Sequence, residues 1–140
     1  LCIGLGIKVI GYNRTKKRIE GVLQSSLKTL CKEADIIIIC LSYTPGQNDN
    51  IINDKLLNQV KQYSILISIS HPNLIDLDYL IKINHKFSGI GFDYLVTDKV
   101  KQLIRVRKDN IIITPHLGSQ SQEAINNMTE SLIQTVMNHA

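Results

Sequence analysis

Five short apolar runs recur along the chain, at residues 7–12, 36–41, 65–69, 89–93 and 111–113. Each is continuous rather than alternating, the pattern of strands covered on both faces. Between them, apolar residues return at helical spacing. Leu23, Leu27 and Leu30 make one such set, and Leu56, Leu57 and Val60 another. Leu77, Leu80 and Ile81 share a face, with Asp76 and Asp78 at the helix start, where the macrodipole favours acids. The clearest helix carries a stripe of Ile125, Met128, Leu132 and Val136. Ser119 and Gln122 offer it a capping box. Strands alternating with helices predict βαβ units, and so an α/β fold with a doubly wound, mostly parallel sheet and right-handed crossovers.

Composition narrows the picture. The chain has 140 residues, enough for one domain, and 44% apolar with 20% charged residues is ordinary for a globular protein. No apolar run reaches the roughly 18 residues of a membrane span, and residues 1–10 lack the pattern of a secretory signal. Cys2, Cys31 and Cys40 have no metal-ligand spacing, which fits a reducing, cytoplasmic setting. Cys40, inside an apolar run, reads as a small buried hydrophobe. The net charge is +4. Basic residues gather at Arg14, Lys16, Lys17 and Arg18, and again at Lys99, Lys101, Arg105, Arg107 and Lys108. Without Trp or interleaved aromatics, these read as solvated faces rather than a nucleic-acid surface. Tyr43, Tyr63, Tyr79 and Tyr94 read as packing residues; His85 and His139 receive no role.

Candidate chemistry concentrates near the end. Ile111-Ile112-Ile113-Thr114-Pro115-His116-Leu117-Gly118 puts an imidazole just past a buried strand, where open α/β sheets bind their ligands. Asp93 and Asp98 also follow an apolar run. An imidazole beside a carboxylate can move a proton near neutral pH. The plainer alternatives are a histidine that closes a strand in a turn and an aspartate that caps one. Gly4-Leu5-Gly6 is not a dinucleotide turn. The third glycine would fall at Val9, and no strand precedes it, so it reads as a helix end with a glycine cap.

From Gly6 onward the chain resembles the nucleotide-binding domain of the D-isomer-specific 2-hydroxyacid dehydrogenases. Gly6-Ile7-Lys8-Val9-Ile10-Gly11-Tyr12-Asn13-Arg14 is similar to the second strand and its cofactor-selecting end. Ser26-Leu27 through Asp35-Ile36-Ile37 resembles the following helix and strand. Thr44-Pro45-Gly46-Gln47 with Ile51-Ile52-Asn53 resembles the T-P-x-T…I-N turn. The strand before a catalytic arginine is matched by residues 65–70, the strand before a catalytic acid by Gly89-Ile90-Gly91-Phe92-Asp93, and the histidine motif by residues 114–118.

The resemblance implies a Rossmann-like domain, residues 1–140, that transfers hydride between NAD or NADP and a 2-hydroxy or 2-keto acid, in a homodimer. A start at Leu1 implies a fragment without the first strand, the glycine-rich turn and the separate substrate domain. His116 matches the family's acid/base. Asp98 matches the glutamate that orients it, one methylene shorter. His71 stands where an arginine clamps the substrate carboxylate, followed by Pro72. Asp93 matches an aspartate near the nicotinamide carboxamide. Leu41 and Ser42 fall by the adenine. Gln47, Ile69, Ser70, His71, His116 and Gly118 complete the expected cofactor contacts. Asn13 and Arg14 replace the acid that accepts ribose hydroxyls, which leans toward NADP. Two rivals remain: a non-catalytic or decayed dinucleotide-binding relative, and a flavodoxin-like or receiver-like domain, which would need a phosphate loop or acidic pocket not found here.

Overall fold

The computed structural model describes residues 2–15, 17–94, 96–107, 109–118 and 120–139. Leu1, Lys16, Lys108, Ser119 and the side chain of His139 lie outside the described residues, and with them the Ser119–Gln122 capping box.

Four strands form the main sheet: β3 (Ile36–Ile39), β4 (Ser64–Ser68), β5 (Phe87–Asp93) and β6 (Ile111–Thr114). They lie side by side in chain order and every pairing is parallel. Each crossover contains a helix: α2 (Asp54–Leu57), α3 (Leu77–Lys82) and α4 (Asp98–Val106). Helix α1 (Leu27–Glu33) precedes β3 and α5 (Gln122–His139) closes the chain. The fold is α/β with a parallel sheet, as the periodicity predicts, and Rossmann-like, as the resemblance implies.

The helix starts follow from local chemistry. Ser26 accepts from the Thr29 N–H at 3.1 Å, Asn53 from Leu56 at 3.1 Å, Asp76 from Tyr79 at 3.0 Å and Thr97 from Val100 at 3.3 Å. Each such cap is worth about 1 kcal/mol. The residues 2–7 end as read: a 3-10 turn over Ile3–Leu5 stops at Gly6, whose φ of 74° is the left-handed cap.

Registered rows explain the core. Ile37, Leu66, Ile90 and Ile111 stand in line across the sheet, and Ile39, Ser68, Phe92 and Ile113 form the next row. These point to the helices, where Leu57, Leu80, Val100 and Leu103 are buried. The alternate rows differ from expectation. Ile36 and Ile38 are exposed on β3 and Ile112 is 70% exposed on β6. Those rows border an open apolar groove of about 770 Å³ lined by Ile65, Ile67, Gly89, Gly91 and Ile112. Among the described residues only one sheet face is covered, because α1 to α4 pack side by side on that face. A continuous apolar run cannot reveal which face has a neighbour.

Other expectations are corrected. Leu23 belongs to a strand, β2 (Val22–Gln24), which pairs in parallel with β1 (Val9–Gly11); the helix starts at Leu27. Cys40 is exposed, and Cys31 is the buried cysteine. Burial pushes the Cys31 thiol up. Arg107 is not part of a solvated face. It is buried, and its guanidinium donates to the carbonyls of Asn84 at 2.6 Å and Phe87 at 2.9 Å. The stripe on α5 exists but is exposed, with Leu132 66% open. No described helix is long and apolar enough to cross a membrane.

Candidate functional site

Parallel strands all end at one edge, so their last residues and the loops behind them share a rim. Register fixes the depth: Ile39 pairs with Ser68, Ser68 with Phe92, and Asp93 with Thr114. Leu41 and Ser42 therefore follow β3 to the same rim as Ile69, Ser70 and His71 after β4, Asp93 at the end of β5, and the 115–118 loop after β6. Ser70 ties two of these ends together, its hydroxyl donating to the Ile39 carbonyl at 3.2 Å.

The β6 loop is held by one carboxylate. Asp93 Oδ1 accepts from the Thr114 hydroxyl at 2.6 Å and from the Leu117 N–H at 2.8 Å; Oδ2 accepts from the Gly118 N–H at 2.9 Å. The Thr114 hydroxyl above all, then the two N–H groups, hold the Asp93 carboxyl below its ordinary range. Between these anchors the chain turns sharply. The His116 N–H reaches the Thr114 carbonyl at 3.0 Å, and His116 takes a φ of 58°, the left-handed region a side chain rarely occupies. Two residues on, space is tight as well: a Cβ on Gly118 would sit 3.0 Å from Asp93 Oδ2, which would have to give way by a few tenths of an ångström. His116 itself is exposed, at the mouth of the rim.

The β4 loop is held differently. His71 caps a 3-10 turn over Pro72–Leu74, its Nδ1 accepting from the Asn73 N–H at 3.2 Å. Its ring stacks on Tyr43, with centroids 4.2 Å apart and planes 10° from parallel. The Tyr43 hydroxyl donates to Asp49 at 2.5 Å and accepts from the Asn73 amide at 3.1 Å. The Tyr43 hydroxyl, ahead of the Gly46 N–H, lowers the Asp49 carboxyl. Tyr43 packs against the core, as expected, and is also a member of the rim; Tyr63 is 75% exposed. Tyr94 is buried, stacks on Phe92 and has its hydroxyl pushed up by burial.

At the β1 end, a cleft of about 180 Å³ opens between Gly11, Tyr12 and Asn13 on one side and Ile39, Cys40 and Leu41 on the other. Arg14 is exposed just beyond it. Ser42 and Gln47 sit in the loop that follows β3, its turn fixed by Asn48, which donates to the Ser42 carbonyl at 2.8 Å, and by a Gln47 to Thr44 backbone bond of 3.1 Å.

Residues 1–118 match the family described as D-isomer specific 2-hydroxyacid dehydrogenase, NAD binding domain. The chain belongs to that family. Glyoxylate reductase of Pyrococcus horikoshii is 28% identical over 133 residues, spanning 91% of this chain and 40% of that protein. Glycerate dehydrogenase of Methylorubrum extorquens is 27% identical over 137 residues, 94% of this chain and 42% of that protein. Among solved structures, an acyclic imino acid reductase in complex with NADPH and D-arginine superposes with a TM-score of 0.87 at 28% identity, covering 98% of this chain and 44% of its own. D-lactate dehydrogenase from Aquifex aeolicus, complexed with NAD and lactic acid, gives 0.80 at 27% identity, covering 96% and 46%. The chain spans about 40% of the length of these curated relatives.

Within the NAD-binding domain of this dehydrogenase family, one expected pairing is not brought together. Asp98 opens α4 and bonds Lys101 at 3.0 Å, with its side chain 97% exposed. The Lys101 ammonium, by hydrogen bond and charge, lowers the Asp98 carboxyl. Among the described residues, the carboxylate beside the His116 loop is Asp93.

Proposed function

We propose that this domain serves an NAD(P)-dependent oxidoreductase acting on the CH–OH group of D-2-hydroxy acids, with the rest of a longer protein supplying a substrate domain. The observation that carries the reading is the β6 loop. A strand-end carboxylate spends both oxygens holding one strained histidine at the mouth of the rim. Such strain persists where the surroundings over-determine it, typically at functional sites.

The residues present suit the cofactor. Between Asn13 and Leu41 the cleft offers apolar walls to a purine and an amide to a ribose hydroxyl. Leu41, Ser42, Gln47, Ile69 and Ser70 would line the path from adenosine to the nicotinamide end, and His71, Asp93, His116 and Gly118 would surround that end. Asn13 carries no charge to repel a 2′-phosphate, and Arg14, with Lys17 and Arg18 behind it, would attract one. This supports NADP over NAD.

Bound nicotinamide supplies or accepts the hydride. The chain's own residues handle the proton and the geometry. His116 gives a proton to the ketone oxygen during reduction and takes it from the hydroxyl in the reverse direction. Asp93 acts through the loop backbone, keeping that imidazole in place. His71 faces the substrate carboxylate in place of a guanidinium fork. Asp98 joins His116 if it leaves Lys101. The exposed apolar sheet face supports a homodimer, and three free cysteines fit the cytoplasm.

A second reading, a non-catalytic or decayed dinucleotide-binding relative, is favoured by the Asp98–Lys101 bond. Oxidation of NADPH and NADH by the full-length protein, across a panel of short 2-keto acids, separates the two. Turnover, faster with NADPH, is expected. Tight dinucleotide binding with no turnover of any keto acid would select the second reading.

A further inference from the structure

We propose that Tyr43, Asp49 and Asn73 are positioning residues that fix His71 with Nδ1 as an acceptor, leaving its Nε2–H as the one directed donor offered to the substrate carboxylate. The substrate half of this statement rests on the 2-keto acid reading above.

The Asn73 N–H donates to Nδ1 at 3.2 Å, so that nitrogen must keep its lone pair, and a neutral imidazole then carries its proton on Nε2. Ring orientation is set separately, by the stack on Tyr43 at 4.2 Å and 10°. Tyr43 is held in turn at its hydroxyl, which donates to Asp49 at 2.5 Å while the Asn73 amide donates to it at 3.1 Å. Asp49 is anchored on its other oxygen by the Gly46 N–H at 2.6 Å. The two loops are also joined through the backbone, where the Asn50 N–H meets the Asn73 carbonyl at 2.7 Å. Asn73 thus acts twice, its backbone on the imidazole and its side chain on the ring that orients it.

An imidazole without such partners exchanges between tautomers and rotamers. This one is defined at Nδ1, at its ring plane and at the base of the stacking ring. The consequence for recognition is specific. A guanidinium grips both carboxylate oxygens in parallel, whereas a single N–H grips one. The orientation of that N–H then decides how well the keto acid is held, which places Tyr43 in control of KM.

The test uses full-length protein labelled with ¹⁵N-histidine, with His71 assigned by the signals lost in His71→Gln. Nδ1 is expected to resonate as unprotonated and Nε2 as protonated. Oxamate, an unreactive 2-keto acid mimic, added with NADPH should move the Nε2–H pair. Tyr43→Leu should mix the tautomers and raise KM for the keto acid several-fold with a smaller change in kcat. Tyr43→Phe, which keeps the stack, should fall between. A protonated Nδ1 in the wild type overturns the proposal, as does Tyr43→Leu with an unchanged spectrum and KM. Turnover with an unlocked ring defeats the network and leaves the dehydrogenase reading standing. A locked ring that ignores oxamate in a protein without turnover defeats both.

Discussion

Two histidines stand at the same sheet edge and are held by opposite means. At His116 the loop is fixed and the ring is left exposed: Asp93 accepts from the Thr114 hydroxyl before it and from the Leu117 and Gly118 N–H groups after it. At His71 the ring itself is fixed, stacked and capped, on a loop that leads into an ordinary 3-10 turn. The difference suits the two tasks proposed for them. A group that moves a proton must approach a reacting oxygen and change its charge, so a rigid base with a free ring suits it. A group that only binds gains from a fixed donor.

The comparison breaks most sharply at the carboxylates. Asp93→Ala in the full-length protein removes the acceptor of three loop donors, and displacing His116 by about 1 Å is expected to cost on the order of 100-fold in kcat/KM. Asp49→Ala reaches His71 chiefly through Tyr43, so its loss should be much smaller and fall on KM. Steady-state kinetics of the two variants side by side checks this. Equal losses would erase the distinction.

Gly118→Ala is the milder attack on the same loop. The new Cβ would press on Asp93 Oδ2 at 3.0 Å, a local overpacking of about 1–3 kcal/mol. Turnover should fall by about tenfold, with keto acid KM near wild type. An unchanged kcat would show that the loop gives way freely.

Acid sharpens the comparison by affecting both loops alike. Hydrogen bonds hold the Asp93 and Asp49 carboxyls below their ordinary range. A carboxyl lowered in the folded state adds stability above its unfolded pKa of about 3.9 and loses it as pH falls through the folded value. Protection of the Leu117 and Gly118 amides from hydrogen exchange should therefore persist to about pH 4 and fail below it. Loss near neutral pH would mean that Asp93 is not the anchor.

The smallest effect separates strain from function. His116→Gly relieves the left-handed φ of 58°, worth about 1–2 kcal/mol, against roughly 0.5–1 kcal/mol of added chain entropy. Thermal unfolding should show stability rising by about 0.5 kcal/mol while proton transfer is lost. His71, whose φ of −59° is ordinary, should show no such gain on replacement by glycine.

The main sheet was legible because β-branched runs at 36–41, 65–69 and 111–113 have few other uses. Helix starts were legible where Asp76 stands ahead of an apolar stripe. Strand β2 was not, since Val22, Leu23 and Gln24 are only three residues long and Leu23 also fits a helical spacing with Leu27. Helix α4 was hidden by its charges: Val100 and Leu103 are buried among lysines and an arginine. Exposure of Cys40 was hidden because a continuous run does not say which alternate residue faces inward. The site was legible as a set of strand ends, through the order of family motifs, but its wiring was not. Asp93 meets Leu117 across 24 residues, and Tyr43 meets Asn73 across 30. Contacts of that span are set by which strands lie adjacent, and no local pattern announces them.

The most direct measurement is single-turnover reduction of a 2-keto acid by the full-length protein in wild-type, His116→Gln and Asp93→Asn forms, with dinucleotide affinity measured alongside. The account predicts that the chemical step collapses in His116→Gln and falls about 100-fold in Asp93→Asn, while both variants still bind the dinucleotide. An Asp93→Asn protein that reduces the keto acid at the wild-type rate would contradict it.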